Sequence, residues 1–215
     1  MKAPREPYSG ADGESPDGRK EDLARDSFMD LARRLAERGR YTVAPNPLVG
    51  AVVARNGTAI SEGWHARAGG DHAEVAALKT VGEAARGATM YVTMEPCNHH
   101  GRTPPCTEAI LRSGIARVVI GHLDPNPRMQ GRSVEILRAS GVEVEVLDDP
   151  AFERQNEQFM HYMRTGRPFV HLKLAATLDG RIAAAGGDSR WVTGEGARLR
   201  AHRLRAEAGA VHPRR

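Results

Sequence analysis

Two stretches hold both cysteines of the chain and its first His-x-Glu: His72-Ala73-Glu74, and Pro96-Cys97-Asn98-His99-His100-Gly101-Arg102-Thr103-Pro104-Pro105-Cys106. One imidazole and two thiols make three soft-to-borderline ligands. That is the pattern of a catalytic zinc, which keeps a fourth position for water and lowers the pKa of that water to about 7. His72, Cys97 and Cys106 are therefore the candidate metal ligands. Glu74, two residues beyond His72, is near enough to reach the water without being a ligand. It is the candidate acid/base, taking a proton from water and returning it to a leaving amine. Together these parts are what hydrolytic deamination of an aminopyrimidine requires. A Cys97–Cys106 disulfide is the competing account of the thiols. It leaves His72 and Glu74 without a purpose, and two cysteines are too few for a disulfide framework.

The elements that must position these groups follow from periodicity and punctuation. Residues 1–20 carry Pro4, Pro7 and Pro16 and three glycines among charges, with almost nothing apolar, and read as a disordered tail. Leu23, Phe28, Leu31 and Leu35 recur at helical spacing over 21–38, and Gly39 ends that helix. The rigid turn at Pro45-Asn46-Pro47 leads into a strand over 49–54, and Asn56-Gly57 is a hairpin signal before a second strand reaching about Gly63. A loop from Trp64 to Asp71 feeds a helix that opens at His72, with Asp71 as its expected cap. A strand over 88–94 then ends at Glu95-Pro96-Cys97, and a helix over about 104–113 carries Cys106 near its start. Two helix N-termini thus face the metal, where their dipoles favour thiolates. A strand over 115–121, a helix over 133–140, a strand over 142–147 and a helix over 151–164 complete the unit. One helix, two strands and then repeating helix–strand units predict a three-layer α/β/α sandwich with a mixed five-stranded sheet, with the deaminase-type domain over 21–166.

The chain has 215 residues, 40% of them hydrophobic, enough for one full domain and a fragment or for two small domains. Its net charge of +4 comes from 31 basic and 27 acidic residues with the arginines dispersed, which argues against a nucleic-acid-binding stripe. No apolar run approaches the roughly 20 residues of a membrane span, and the N-terminus lacks an apolar signal core. A reducing cytoplasm is the expected location, and it keeps both thiols available for metal.

His-Ala-Glu followed by Pro-Cys-Asn-His-His-Gly-Arg-Thr-Pro-Pro-Cys resembles the deaminase domain of the bifunctional riboflavin-biosynthesis deaminase/reductase. The general nucleotide-deaminase signature places two residues between its cysteines; here there are eight, and the insert is of the riboflavin type. The resemblance implies a cytidine-deaminase-like fold, Zn2+ and a phosphoribosylated diaminopyrimidinone as substrate. It further implies substrate contacts at Asn46, in the proline turn, and His65, in the loop before His72. Arg102 is the candidate for the phosphate, and His99, Asp124 and Asn126 for the ribose or base. His100 has no assigned role. A homo-oligomer is expected from the family.

From Arg167 the chain resembles the opening of the family's second domain, a reductase similar to dihydrofolate reductase. A strand is expected over 169–174. By that resemblance Ala175 and Trp191 match NADPH contacts, and Ser189 and Arg205 match contacts to the reductase substrate. The 167–215 segment is short for such a domain, so reductase activity and NADPH binding are expected to be absent. Two other readings compete. A tRNA or single-stranded DNA deaminase would share the metal site, but the cysteine spacing and an aromatic content of only 5% argue against it. A non-catalytic zinc domain or inactive fragment would leave Glu74 idle and offers only three ligands, where a structural zinc normally has four.

Overall fold

Five strands build the sheet: β1 (Gly50–Arg55), β2 (Thr58–Trp64), β3 (Thr89–Val92), β4 (Arg117–Ile120) and β5 (Glu143–Val146). They lie in the order β2-β1-β3-β4-β5. β1 pairs antiparallel with β2 and with β3, whereas β3, β4 and β5 run parallel, so the sheet is mixed as expected. This structure is a computed structural model and describes residues 16–101, 103–127 and 129–211.

Both faces are covered, and strand alternation decides what each face carries. Ala51, Val53, Met90, Val92, Val118 and Ile120 point to one side. There they pack against Ala73 and Ala77 of α2 (Ala73–Val81), Ile110 of α3 (Cys106–Ser113), and Val134 and Leu137 of α4 (Arg132–Ala139). Val52, Ala54, Tyr91 and Val119 point to the other side. They meet Met29, Ala32 and Leu35 of α1 (Pro16–Ala36) and Phe152 of α5 (Pro150–Gln155). Three layers result. The β1–β2 connection is the two-residue turn expected from Asn56-Gly57, with both residues at positive φ (50° and 73°). Gly63 in β2 has no room for a Cβ, which would lie 2.3 Å from the Ala73 carbonyl and 2.5 Å from the Ala77 nitrogen. That close approach lets the start of α2 press onto the sheet, and with it His72 and Glu74.

Several expectations differ from the fold. α1 begins at Pro16, five residues before the helix read from the apolar stripe, so 16–20 are helical and not part of a tail. Proline suits a first helical turn, where its missing N–H is not needed. Residues 1–15 lie outside those described. The cap of α2 is His72 itself, with extended backbone (φ −72°, ψ 160°). Asp71 instead binds Lys79 at 2.6 Å, a contact the sequence spacing did not announce. The single helix expected over 151–164 is broken at Asn156, giving α5 and α6 (Glu157–Thr165). Beyond Gly166, residues 169–174 form no strand. No described strand lies beside them, and Val170, Leu172 and Leu174 are 82%, 77% and 69% exposed. An isolated strand has no partner for its backbone groups, so alternating apolar residues alone do not make one. A helix, α7 (Glu195–Glu207), closes the described chain.

Candidate metal centre and active site

Chain order explains how distant residues converge. β3 and β4 are parallel, so their carboxyl ends lie together, and the loops leaving them meet at one edge of the sheet, where open α/β sheets place ligands. Cys97 follows β3, Cys106 opens α3, and His72 opens α2. Their ligating atoms all lie within 4.8 Å of one another. His72 Nδ1 stands 3.2 Å from Cys106 Sγ and 3.5 Å from Cys97 Sγ. The Cys106 backbone N–H, at the positive end of α3, donates to Cys97 Sγ at 3.3 Å. Two helix starts therefore do face the cluster.

The electrostatics of the cluster fit a cation. Donation from the Cys106 thiol, and then from His72 and the Cys106 amide, pulls the Cys97 thiol down to about 4 despite burial. The Cys106 thiol is pushed up, first by its bond to Cys97 and then by burial. The hydrogen bond to Cys97 raises the His72 pKa. Two sulfurs and an imidazole packed this closely at a half-buried site match the zinc donor set, and an ion between them would let both thiols ionise.

Glu74 is 3% exposed and lies on the first turn of α2, facing the same cavity. Burial, reinforced by the charge of Cys97, raises its carboxyl to about 7. The cavity has a volume of about 370 Å³. Asn46, His65, His72, Glu74, Cys97, His99 and Asp124 all line it. Asn126 does not line it; its backbone N–H caps the Asp124 carboxylate at 2.8 Å instead. Asp124 is pushed up to about 6, chiefly by burial and also by Glu95. His65 has both ring nitrogens engaged by the protein. Nδ1 is 2.8 Å from the Asp71 carbonyl, and Nε2 is 3.0 Å from Asn46 Nδ2. A carbonyl only accepts, so Nδ1 carries the proton and Nε2 accepts from the Asn46 amide. Burial keeps this imidazole below its usual pKa. His100 is exposed and meets Glu108 at 3.3 Å. Arg102 lies outside the described residues.

Glu95 and Asn156 are the residues that sequence reasoning passed over. Glu95 is 5% exposed, and its carboxylate accepts N–H groups from Asp124 (3.2 Å), Gly131 (3.0 Å) and Ser133 (3.1 Å). It thereby ties the metal-bearing loop to the start of α4 and to the Asp124 loop. Its place immediately before Pro96-Cys97 was the only available signal. The four positions matched to reductase contacts are not brought together. Ser189 and Arg205 are exposed, Trp191 is 71% exposed and stacks under Arg198, and none of these or Ala175 lines the 370 Å³ cavity or its 610 Å³ neighbour.

A three-layer sandwich with a His/Cys/Cys cluster and a buried glutamate at the sheet edge defines the class of zinc-dependent cytidine-type deaminases. Residues 24–122 match the cytidine and deoxycytidylate deaminase zinc-binding region, and residues 168–211 match the RibD C-terminal domain. The chain is 51% identical over 186 residues to riboflavin biosynthesis protein RibD of Aquifex aeolicus, covering 86% of this chain and 52% of the relative. The solved structure of Acinetobacter baumannii RibD superposes with a TM-score of 0.83 at 46% identity, over 87% of this chain and 53% of that one. The diaminohydroxyphosphoribosylaminopyrimidine deaminase/5-amino-6-(5-phosphoribosylamino)uracil reductase of Thermotoga maritima gives a TM-score of 0.80 at 46% identity, over 86% and 54%. The chain is thus similar in sequence and structure to RibD proteins along most of its length, and it spans about half the length of the curated relatives it matches. Among the described residues no helix is long and apolar enough to cross a membrane.

Proposed function

We propose that the chain is a zinc-dependent hydrolytic deaminase. Its substrate would be 2,5-diamino-6-(5-phosphoribosylamino)pyrimidin-4(3H)-one, and its products 5-amino-6-(5-phosphoribosylamino)uracil and ammonia. The observation that carries this reading is the buried Glu74 beside the His72, Cys97 and Cys106 cluster, at a cavity large enough for a pyrimidine. His72 Nδ1 and the two sulfurs would hold the zinc. When bound, that ion supplies Lewis acidity and a nucleophilic water at neutral pH. Glu74 moves the protons. Water adds to the ring carbon bearing the amine as Glu74 takes one water proton and delivers it to the adjacent ring nitrogen. Glu74 then takes the proton of the new hydroxyl and delivers it to the amine, and the carbon–nitrogen bond breaks to leave a carbonyl and ammonia. A carboxyl held near 7 is matched to both halves of that exchange. Asn46, His99 and Asp124 line the cavity and are the proposed substrate contacts, and Asn126 acts from the same loop. Ammonia release from this substrate, measured with zinc content on the same preparation, tests the reading; zinc without release would leave a non-catalytic metal domain.

Arg102, two residues before the Pro104-Pro105-Cys106 run, is the proposed phosphate ligand. Arg102→Ala is expected to lower kcat/KM for the phosphorylated substrate by about 10-fold or more, the scale of a lost charge-assisted contact. The dephosphorylated substrate should be nearly unaffected, and equal losses on both would reduce Arg102 to a loop residue.

The domain division proposed is a deaminase unit over 21–166, preceded in this structure by the first turn of α1, and a second segment from Arg167. In that segment the described residues hold α7 and no strand, and none of Ala175, Ser189, Trp191 and Arg205 lines the 370 Å³ cavity or its 610 Å³ neighbour. A nicotinamide dinucleotide needs a sheet edge and backbone amides at a helix start to hold it. Supplied with the deaminated product and NADPH, the 215-residue chain is expected to show no product-dependent loss of nicotinamide absorbance. Steady oxidation would overturn that reading.

A further inference from the structure

Asn156 breaks what the apolar pattern presents as one helix, and its side chain does not cap the helix it precedes. Instead it reaches across 108 positions to the backbone of Leu48. Its Oδ1 accepts the Leu48 N–H at 2.7 Å, and its Nδ2 donates to the Leu48 carbonyl at 3.0 Å. The two bonds copy the pairing of a neighbouring strand, and they fix the orientation of an amide that is 5% exposed.

The turn it holds is poor in anchors of its own. Pro45 and Pro47 have no N–H. That leaves Asn46 N–H, which donates to the Val43 carbonyl at 2.8 Å, and Leu48 N–H, which only Asn156 satisfies. Half of the backbone donors of residues 45–48 thus depend on one side chain. Asn46 sits two residues before Leu48, lines the 370 Å³ cavity and hands its amide to His65.

We propose that Asn156 is a positioning residue for the reaction: it clamps Leu48 and thereby fixes the Pro45–Leu48 turn so that Asn46 faces the substrate. The link to catalysis rests on the deaminase reading above, whereas the clamp itself stands on geometry. Asn156→Ser removes the bridge while leaving a good cap residue ahead of α6. Zinc content should stay at the wild-type value. KM should rise about 10-fold or more with kcat changed by less than about threefold, because misplacing a contact by an ångström costs on this scale. In a cycle with Asn46→Ala, the double variant should be no worse than Asn46→Ala alone within about twofold, since both act through one contact. Hydrogen exchange at the Leu48 amide should accelerate while the amides of β1 stay protected. Losses that multiply in the cycle would overturn the proposal, as would an unchanged Leu48 amide. If the serine variant does not fold, Asn156→Asp, which keeps the acceptor for the Leu48 N–H and loses the donor to the Leu48 carbonyl, is read by zinc content, the rise in KM and the cycle with Asn46→Ala. Should wild-type protein release no ammonia, the deaminase reading fails on that measurement, and the Leu48 exchange still decides the clamp.

Discussion

Cys97→Ser is expected to lose zinc and deaminase activity together. The wild-type chain should carry one zinc, because among the described residues His72, Cys97 and Cys106 form the one group of three His, Cys, Asp or Glu side chains close enough to hold an ion. A serine hydroxyl stays protonated where the Cys97 thiol is already drawn down to about 4 by its neighbours. The substitution therefore replaces an anionic, polarisable ligand by a neutral, hard one at nearly constant volume. Loss of a partner that merely orients a ligand costs 10–100-fold in affinity or activity, so loss of a ligand should exceed about 100-fold. Metal analysis and ammonia release are measured on the same reduced protein. Wild type without zinc would sink the metal reading. A serine variant that keeps stoichiometric zinc would show that Cys97 is not a ligand.

How much of this was legible in the sequence depended on how local the signal was. His72, Glu74, Cys97 and Cys106 could be read because metal chemistry restricts residue type and because the motifs sit at helix starts, which punctuation marks well. The structure brings His72, Glu74 and Cys97 to one cavity wall, with the buried Cys106 sulfur within 4.8 Å of the His72 and Cys97 ligand atoms. The five strands were legible too, with boundaries off by one or two residues, since alternating Val, Ile and Met marked them. The failures lie where a distant partner decides. The break between α5 and α6 is made by Leu48, 108 positions away, and no helical periodicity contains that information. Asp71 had the right residue type for a cap, yet Lys79 takes its carboxylate and His72 takes the cap position. The apolar alternation at Val170, Leu172 and Leu174 is strand-like, but strand formation is a property of pairs, and no described strand stands beside these residues. Asn126 and Asp124 are equivalent in sequence, and only the loop geometry turns one toward the cavity and the other into its support.

Glu74→Gln is expected to keep the fold and the zinc and to lose turnover by about 100-fold or more, up to about 10,000-fold, the range for a positioned acid/base. Glutamine fills the space of the glutamate and brings no charge into a site where burial already pushes the carboxyl up to about 7. The variant thus removes a cost of ionising a buried group instead of adding one. His72, Cys97 and Cys106 retain their mutual contacts at 3.2–3.5 Å, and the glutamine carbonyl oxygen can take over the bond that the Glu74 carboxylate makes with Cys106, so the donor set is kept. What the amide cannot do is accept a proton from water and deliver it to nitrogen. KM should change little, because the lost interaction belongs to the proton transfers and not to substrate binding, so kcat and kcat/KM should fall together. Steady-state kinetics with metal analysis on one preparation provide the check. A glutamine variant with full zinc and near wild-type kcat would remove Glu74 from the chemistry, and the proton would then have to travel by Asp124, the other cavity-lining carboxyl whose pKa burial has raised.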